Sequence, residues 1–218
     1  MKMITMKGDM IIEDLVKRYP ELAGLRSAIN DAASAISGCY SRGGKVLCCG
    51  NGGSSSQADH LVAELMKSFE IKRPLDESLR RRLGKISGER GKYLAEKLEH
   101  SLPAINLSAH CGLISAISND TDPSLIFAQQ ILGYGNEKDV LIAISTSGNS
   151  QNVIDACITA RALNITVIGT TGKSGGKLKE YCDILLNVPS TRTAIIQEFQ
   201  LPLLHAICGI IETGFYGK

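Results

Sequence analysis

Five short apolar runs set the terms on which this chain can fold. They are "KVLCCG" (45–50), "AINLSA" (104–109), "VLIAIS" (140–145), "TVIGTT" (166–171) and "ILLNVP" (184–189). Each is too continuous for a half-exposed strand and too short for a helix, so each reads as a buried parallel strand. Helical patterns lie between them. "QADHLVAELMKSF" follows the first run. "NSQNVIDACITARAL" follows the third, with Val153, Ile154, Cys157, Ile158 and Leu163 as its apolar positions, and the shorter "GGKLKEYC" follows the fourth. Alternating strands and helices require right-handed crossovers, which put helices on both faces of the sheet. The predicted fold class is α/β, a three-layer α/β/α sandwich around a five-stranded parallel sheet. Two helical segments, divided near Pro20, occupy about 9–42 before the first strand, and a long one over about 193–213 closes the chain.

The segment 70–101, "EIKRPLDESLRRRLGKISGERGKYLAEKLEHS", breaks that rhythm. It is rich in charge and poor in large apolar residues. Leu75, Leu79 and Leu83 recur every four residues, as do Leu94 and Leu98. That spacing predicts two amphipathic helices inserted into a single domain covering 1–218. The insertion leaves the helix after the first strand and returns before Asp120. It is expected to form a helical lid or an extra subunit contact beside a site at the strand ends.

Composition excludes some functions. The net charge of +2 gives no concentrated basic face, so no nucleic-acid partner is expected. The chain is 44% hydrophobic and 21% charged, enough to bury a sizeable core. No apolar run is expected to reach the length of a membrane span, and "MKMITMKGDM" lacks the apolar centre of a signal peptide. A cytoplasmic protein without a membrane partner follows as the expectation. Cys39, Cys48, Cys49, Cys111, Cys157, Cys182 and Cys208 form no CxxC pair and read as reduced, buried thiols.

Two glycine–serine loops carry the first hint of chemistry. "GNGGSSS" ends the first strand and "STSGNS", 145–150, ends the third. Ligands of open parallel sheets bind outside the carboxyl ends of the strands. Glycine lets the backbone approach an anion closely, and the free amides of a helix start favour negative charge. Neither loop carries a lysine or arginine. Neutral donors of this kind suit a phosphate monoester on a small metabolite. Taken singly, each loop reads first as a glycine turn with a serine cap; two of them, at the ends of strands that could flank a switch point, favour binding. A third loop, "TTGKSGGK", is not a nucleotide-binding P-loop, because Val167 stands where that pattern needs glycine.

His60 and Glu64 are four residues apart and share one helix face. Such a pair can bind a metal or move protons, and it can equally be a surface hydrogen bond. In the last helix, "QEFQLPLLH" offers Gln197, Glu198 and His205. Gln197 and His205 are about 12 Å apart along an ideal axis, so spacing alone favours Glu198 as the partner of His205. His205 reads as readily as a packed histidine, and Pro202 should kink the helix.

Together, "GNGGSSSQADHLVAEL", "ISND", "ISTSGNSQNVIDA" and "IIQEFQLPLLH" resemble the SIS (sugar isomerase) fold and, within it, the phosphoheptose isomerases. The resemblance covers nearly the whole chain except 70–101. It implies flavodoxin-like strand order, with the first and third strands adjacent and the two serine loops as walls of one phosphosugar cleft. It implies isomerisation of sedoheptulose 7-phosphate to a D-glycero-D-manno-heptose 7-phosphate through an enediol, in cytoplasmic heptose biosynthesis for lipopolysaccharide. On that basis Ser145, Thr146, Ser147 and Ser150 hold the phosphate. Asn51, Gly52, Gly53 and Ser54 hold the sugar, joined by Gln197, with Asp120 on a hydroxyl. The resemblance selects His60, Glu64, Gln197 and His205 as ligands of one zinc per subunit, with Glu64 and His205 as the acid–base pair. It also implies a homotetramer whose sites borrow residues across interfaces. The chain departs from the family pattern in several places. "MKSF" replaces a frequent arginine with Lys67 or Ser68, Ala194 stands where an acidic residue is common, Pro202 is unusual and the insertion is long. The rival readings are a non-catalytic SIS regulator that binds a sugar phosphate or a replication initiator, and an isomerase of another ketose phosphate. Retention of both Glu64 and His205 speaks against the regulator, because phosphate binding needs neither.

Overall fold

A computed structural model describes residues 6–217. The signal-peptide reading of the N-terminus falls partly on residues 1–5, which lie outside the described residues. Helices α1 (Met6–Arg18) and α2 (Arg26–Ser41) precede the first strand, and Pro20 opens a short 3-10 turn between them. All five apolar runs form strands, β1 (Val46–Gly50), β2 (Ala104–Asn106), β3 (Val140–Ile144), β4 (Thr166–Thr171) and β5 (Ile184–Asn187). They pair in parallel in the order β2-β1-β3-β4-β5. The expected flavodoxin-like order holds, and β1 and β3 are neighbours.

The sheet divides the core in two. Val46, Cys48 and Ile142 face a layer containing α1, α2, α3 (Gly53–Met66) and α8 (Thr193–Tyr216). Leu47, Cys49, Leu141 and Ala143 face α6 (Ala128–Tyr134) and α7 (Gln151–Ala162). Period-two alternation therefore supplies both faces of one buried sheet. Helix α7 buries Val153, Ile154, Ala156, Cys157 and Ala160, and its small alanines let it lie close to the strands. Ile158, expected in the core, is exposed because it falls off that stripe. The piece after β4 is only a 3-10 helix, Lys177–Tyr181.

Helix α8 runs unbroken through Pro202. Its best window has a mean hydropathy of 1.5, so by length and composition it could cross a membrane. That corrects the expectation that no apolar stretch is long enough. Sixty-one per cent of the window is buried inside the fold, because α8 packs against α1, α2 and α3 together. The cysteines are free thiols, buried or partly so except for exposed Cys111. Burial pushes the Cys49 thiol up to about 12, which keeps it protonated and unreactive.

The insertion forms α4 (Glu77–Lys97), two helical arms folded back at Ser87 and Gly88, where Gly88 has φ +41°. The two predicted amphipathic helices are present, but Leu75 and Leu98 lie just outside them. The arms close on small residues, with Gly91 and Ala95 buried. A Cβ on Gly91 would overlap the Leu83 carbonyl oxygen. At the base, Pro74 bridges Glu99, the Arg73 carbonyl accepts from His100 N–H at 2.8 Å, and Glu99 accepts from Ser68 N–H at 3.0 Å. Ile86, at the tip, is 81% exposed. We expect Gly91→Ala to open this hairpin without unfolding the body. Trypsin should cleave at Arg80–Arg82 and Lys92 at least several-fold faster, while the main thermal transition moves little. A hairpin as resistant as wild type would show that the Gly91–Leu83 approach does not hold the arms together.

Candidate active site

The first serine loop is shorter than the sequence implies, because α3 begins at Gly53 and takes the serines into its first turn. Gly52 makes the turn with φ +54°, a conformation that favours glycine. Ser54 is buried under the turn against Gly50, whereas Asn51, Gly52 and Gly53 are exposed. The second loop, 145–150, caps β3. Within it Ser145 Oγ and Ser150 Oγ are 3.2 Å apart, and Ser147 is exposed. Asn51 and Asn152 exchange two side-chain amide bonds of 2.9 Å, which tie the first loop to the start of α7. The first loop is thus tied to the helix that the second loop enters, as adjacent β1 and β3 allow.

The third loop has a role that its sequence did not disclose. It buttresses the second. Gly148 has φ +65°, and a Cβ there would overlap the Gly175 carbonyl. The Gly148 carbonyl accepts from Leu178 N–H at 2.9 Å, and Asn149 Oδ1 accepts from Lys177 N–H at 3.0 Å. Lys173 itself is exposed, as expected of a solvated loop residue.

A second group of polar residues lies further along α3. His60 Nε2 is 2.8 Å from Glu64 Oε1, His205 Nε2 is 3.2 Å from the same oxygen, and the two imidazole nitrogens are 3.3 Å apart. Phe69 stacks obliquely on His205 with ring centroids 5.7 Å apart. Glu64 is only 5% exposed, and its Oε2 is buried without a hydrogen-bond partner. Three donor atoms that converge on one point suit a cation or a shared proton. Around a tetrahedral zinc with bonds of about 2.1 Å, ligand atoms stand about 3.4 Å apart, close to the separations here. Two histidines and one glutamate are also a known catalytic zinc set that leaves a position open. The group therefore fits a metal by donor type and spacing.

The other expected residues lie elsewhere. The Gln197 amide stands against Gly53, where a Cβ would be 2.5 Å from its Nε2. Gly53 precedes Glu64 by about 16 Å of helix, and Gln197 precedes His205 by about 12 Å. Helices α3 and α8 thus meet at two levels, Gln197 at the upper and His205 at the lower. The Gln197 carbonyl, in the turn before Pro202, accepts from Gln57 Nε2 at 2.9 Å. Glu198 is exposed and forms no part of the cluster. Asp120 ends α5 (Cys111–Asp120), exposed, with its carboxylate accepting from Asn119 at 2.7 Å. No hydrogen bond among the described residues joins it to either loop.

The SIS domain family profile matches residues 12–99 and 94–172. The chain belongs to the SIS domain family. Among curated SIS relatives, the phosphoheptose isomerase of Rhodospirillum rubrum is 38% identical over 194 residues, covering 89% of each chain. The structure of a phosphoheptose isomerase from Francisella tularensis superimposes with a TM-score of 0.72 at 35% identity, over 95% of this chain and 97% of that one. Phosphoheptose isomerase GmhA from Neisseria gonorrhoeae gives 0.70 at 34% identity, over 92% and 94%.

Sequence reasoning missed one further group beside this SIS site. Arg73 and Glu212 are each 1% exposed and form a buried ion pair, with Arg73 Nη2 2.7 Å from Glu212 Oε1. The Glu212 carboxylate also accepts from the N–H groups of Phe69, Glu70 and Ile71. No local pattern marks either residue, since 139 positions separate them. Burial pushes the Glu212 carboxyl up, but the three N–H donors and Arg73 outweigh it and hold it below the ordinary carboxylate value. A carboxyl lowered on folding adds stability that is complete above its unfolded pKa and is lost as pH falls through the folded one. Removing one partner of a buried pair typically costs about 3–5 kcal/mol. We therefore expect Glu212→Gln to melt well below wild type at pH 7, with the gap closing as pH drops below about 4. A gap in melting temperature that stays constant between neutral and acid pH would show that the charge of Glu212 contributes nothing.

Proposed function

We propose that the chain is an aldose–ketose isomerase that converts sedoheptulose 7-phosphate to D-glycero-D-manno-heptose 7-phosphate through an enediol. The observation that carries this reading is the meeting of one buried carboxylate, Glu64, with two imidazoles. Phosphate binding alone would need none of the three. Relatives that are phosphoheptose isomerases by name point the same way.

In this reading Ser145, Thr146, Ser147 and Ser150 bind the phosphate with neutral donors. Asn51, Gly52, Gly53, Ser54 and Gln197 hold the sugar, with Asp120 on one hydroxyl. Glu64 takes and returns the proton between C1 and C2, and His205 serves the oxygens as acid. Zinc would be held by His60, Glu64 and His205, with its open position left to substrate, since Gln197 stands against Gly53 about 12 Å of helix from His205. When bound, zinc supplies Lewis-acid polarisation of a carbonyl.

The loop wall and the Glu64 cluster lie about 12–16 Å apart along α3 and α8. An extended heptose phosphate spans about 10 Å from phosphorus to C1, at about 1.5 Å per bond with the zigzag allowed for. Contacts of about 3 Å at each end of the sugar phosphate cover that separation within one copy, so we infer the homotetramer, with sites that borrow residues across interfaces, from the resemblance to the phosphoheptose isomerases alone. The α4 hairpin, rooted beside the segment that follows Glu64, adds a contact to that shared site.

Glu64→Gln keeps size and most hydrogen bonding but removes the base. We expect it to lower the turnover of sedoheptulose 7-phosphate by about 10²–10⁴-fold. Ser147→Ala should instead raise KM with little change in kcat, since a phosphate contact acts on ground and transition states alike. Wild-type protein that binds sugar phosphates without exchanging the C1 or C2 hydrogen with solvent would make the chain a regulator. Faster exchange with another ketose phosphate would move the substrate. For the metal, elemental analysis should find about one zinc per subunit, and chelation should remove activity that zinc restores. Full activity in metal-free protein would leave a mechanism run by side chains alone.

A further inference from the structure

We propose that Arg73 is a positioning residue for Glu64, acting by closing the C-terminal end of α3. The proposal rests on the catalytic reading of Glu64 given above. The last four carbonyls of a helix have no partner inside it. In α3 these belong to Ala63, Glu64, Leu65 and Met66, and the structure accounts for all four. Ala63 O accepts from Lys67 N–H at 3.3 Å, and Met66 O accepts from Ser101 Oγ at 2.6 Å. Leu65 O accepts from Leu102 N–H at 3.0 Å and from Arg73 Nη1 at 2.6 Å. Glu64 O accepts from Arg73 Nη2 at 3.0 Å. The carbonyl of the reacting residue thus takes its bond from the Arg73 guanidinium. That guanidinium is shut away from water, so no solvent molecule can replace it there.

The other edge of the guanidinium faces α8. Arg73 Nε donates to Glu212 Oε1 at 2.9 Å, and the guanidinium also lies 5.0 Å from the centre of the Tyr216 ring. Glu212 follows His205 by two helical turns on nearly the same face. One planar group therefore ties the backbone of Glu64 to the helix that carries His205. The 3.2 Å separation of Glu64 and His205 is set across that tie. A carboxylate that must meet two imidazoles has little tolerance for a frayed helix end, since small displacements of a reacting group are costly. The fork is what matters. A lysine keeps the charge, but its single ammonium does not reproduce the planar geometry that serves two carbonyls and a carboxylate at once.

Arg73→Lys tests this in the full-length protein, with two readouts besides thermal melting. One is kcat and KM for sedoheptulose 7-phosphate. The other is affinity for Co²⁺ alone, measured by its visible absorption, with Glu64→Gln as the baseline for loss of the cluster. We expect a folded variant whose kcat and Co²⁺ affinity both fall by about 10–100-fold, the loss that removal of an outer partner of a metal or catalytic ligand typically brings, with KM changed by less than about threefold. If Arg73→Lys does not fold, the paired variant Arg73→Met with Glu212→Met takes its place, because replacing both charges of a buried pair is tolerated where removing one is not. Wild-type kcat and Co²⁺ affinity in either folded variant would overturn the proposal. If wild-type protein isomerises no sugar phosphate, the catalytic reading fails, and Co²⁺ affinity alone decides whether Arg73 positions the cluster. A wild-type protein that neither isomerises nor binds Co²⁺ overturns both.

Discussion

Arg73 and Glu212 meet out of water at the junction of three pieces of chain that have no sequence relation. The carboxylate collects the N–H groups of 69–71, and the guanidinium collects the carbonyls of Glu64 and Leu65. In water each of these groups would be solvated at no structural cost. Buried, each must find a partner, and the observed arrangement of α3, the segment after it and α8 supplies all of them. The same arrangement brings His60, Glu64 and His205 within 4.8 Å of one another. It also sets the direction from which the α4 hairpin leaves the body, because the root of that hairpin bonds to Arg73 and Ser68.

The strand-end loops solve a different problem. They are held in shape by close backbone packing and by side-chain amides. Gly148 and Gly176 allow two loops to pack backbone against backbone at a distance that any Cβ would forbid. The paired amides of Asn51 and Asn152 then fix the spacing of the first loop and the second. Under the proposed function, a rigid frame of this kind would reduce the ordering that phosphate binding at Ser147 otherwise demands.

Much of this architecture was legible before any coordinates. Continuous apolar runs bounded by glycine and serine mark buried parallel strands, and all five are present. The spacing of His60 and Glu64 placed both on one face of α3, because four residues nearly complete a helical turn. Other readings needed the third dimension. Spacing within the last helix favoured Glu198 beside His205, yet Glu198 is exposed, because what meets His205 comes from α3 rather than from its own helix. Ile158 looked like core, but the sheet selects the stripe carrying Ala156 and Ala160. Helix α8 is apolar enough to suggest a membrane, and only its packing against three other helices explains where that surface goes.

By itself, the sequence determined the properties that repeat at short range. These are strand and helix periodicity, the glycines that a left-handed turn needs, and the pairing of His60 with Glu64. Local sterics and side-chain period decide such features within a few residues. The tertiary structure alone decided which distant groups share a burial site. It brought Glu64 to His205, Gln197 to Gly53, the third loop to the second, and Arg73 to Glu212 across 139 residues. Nothing in a local pattern encodes such partnerships, because each arises from the demand that every polar group taken out of water be matched by another.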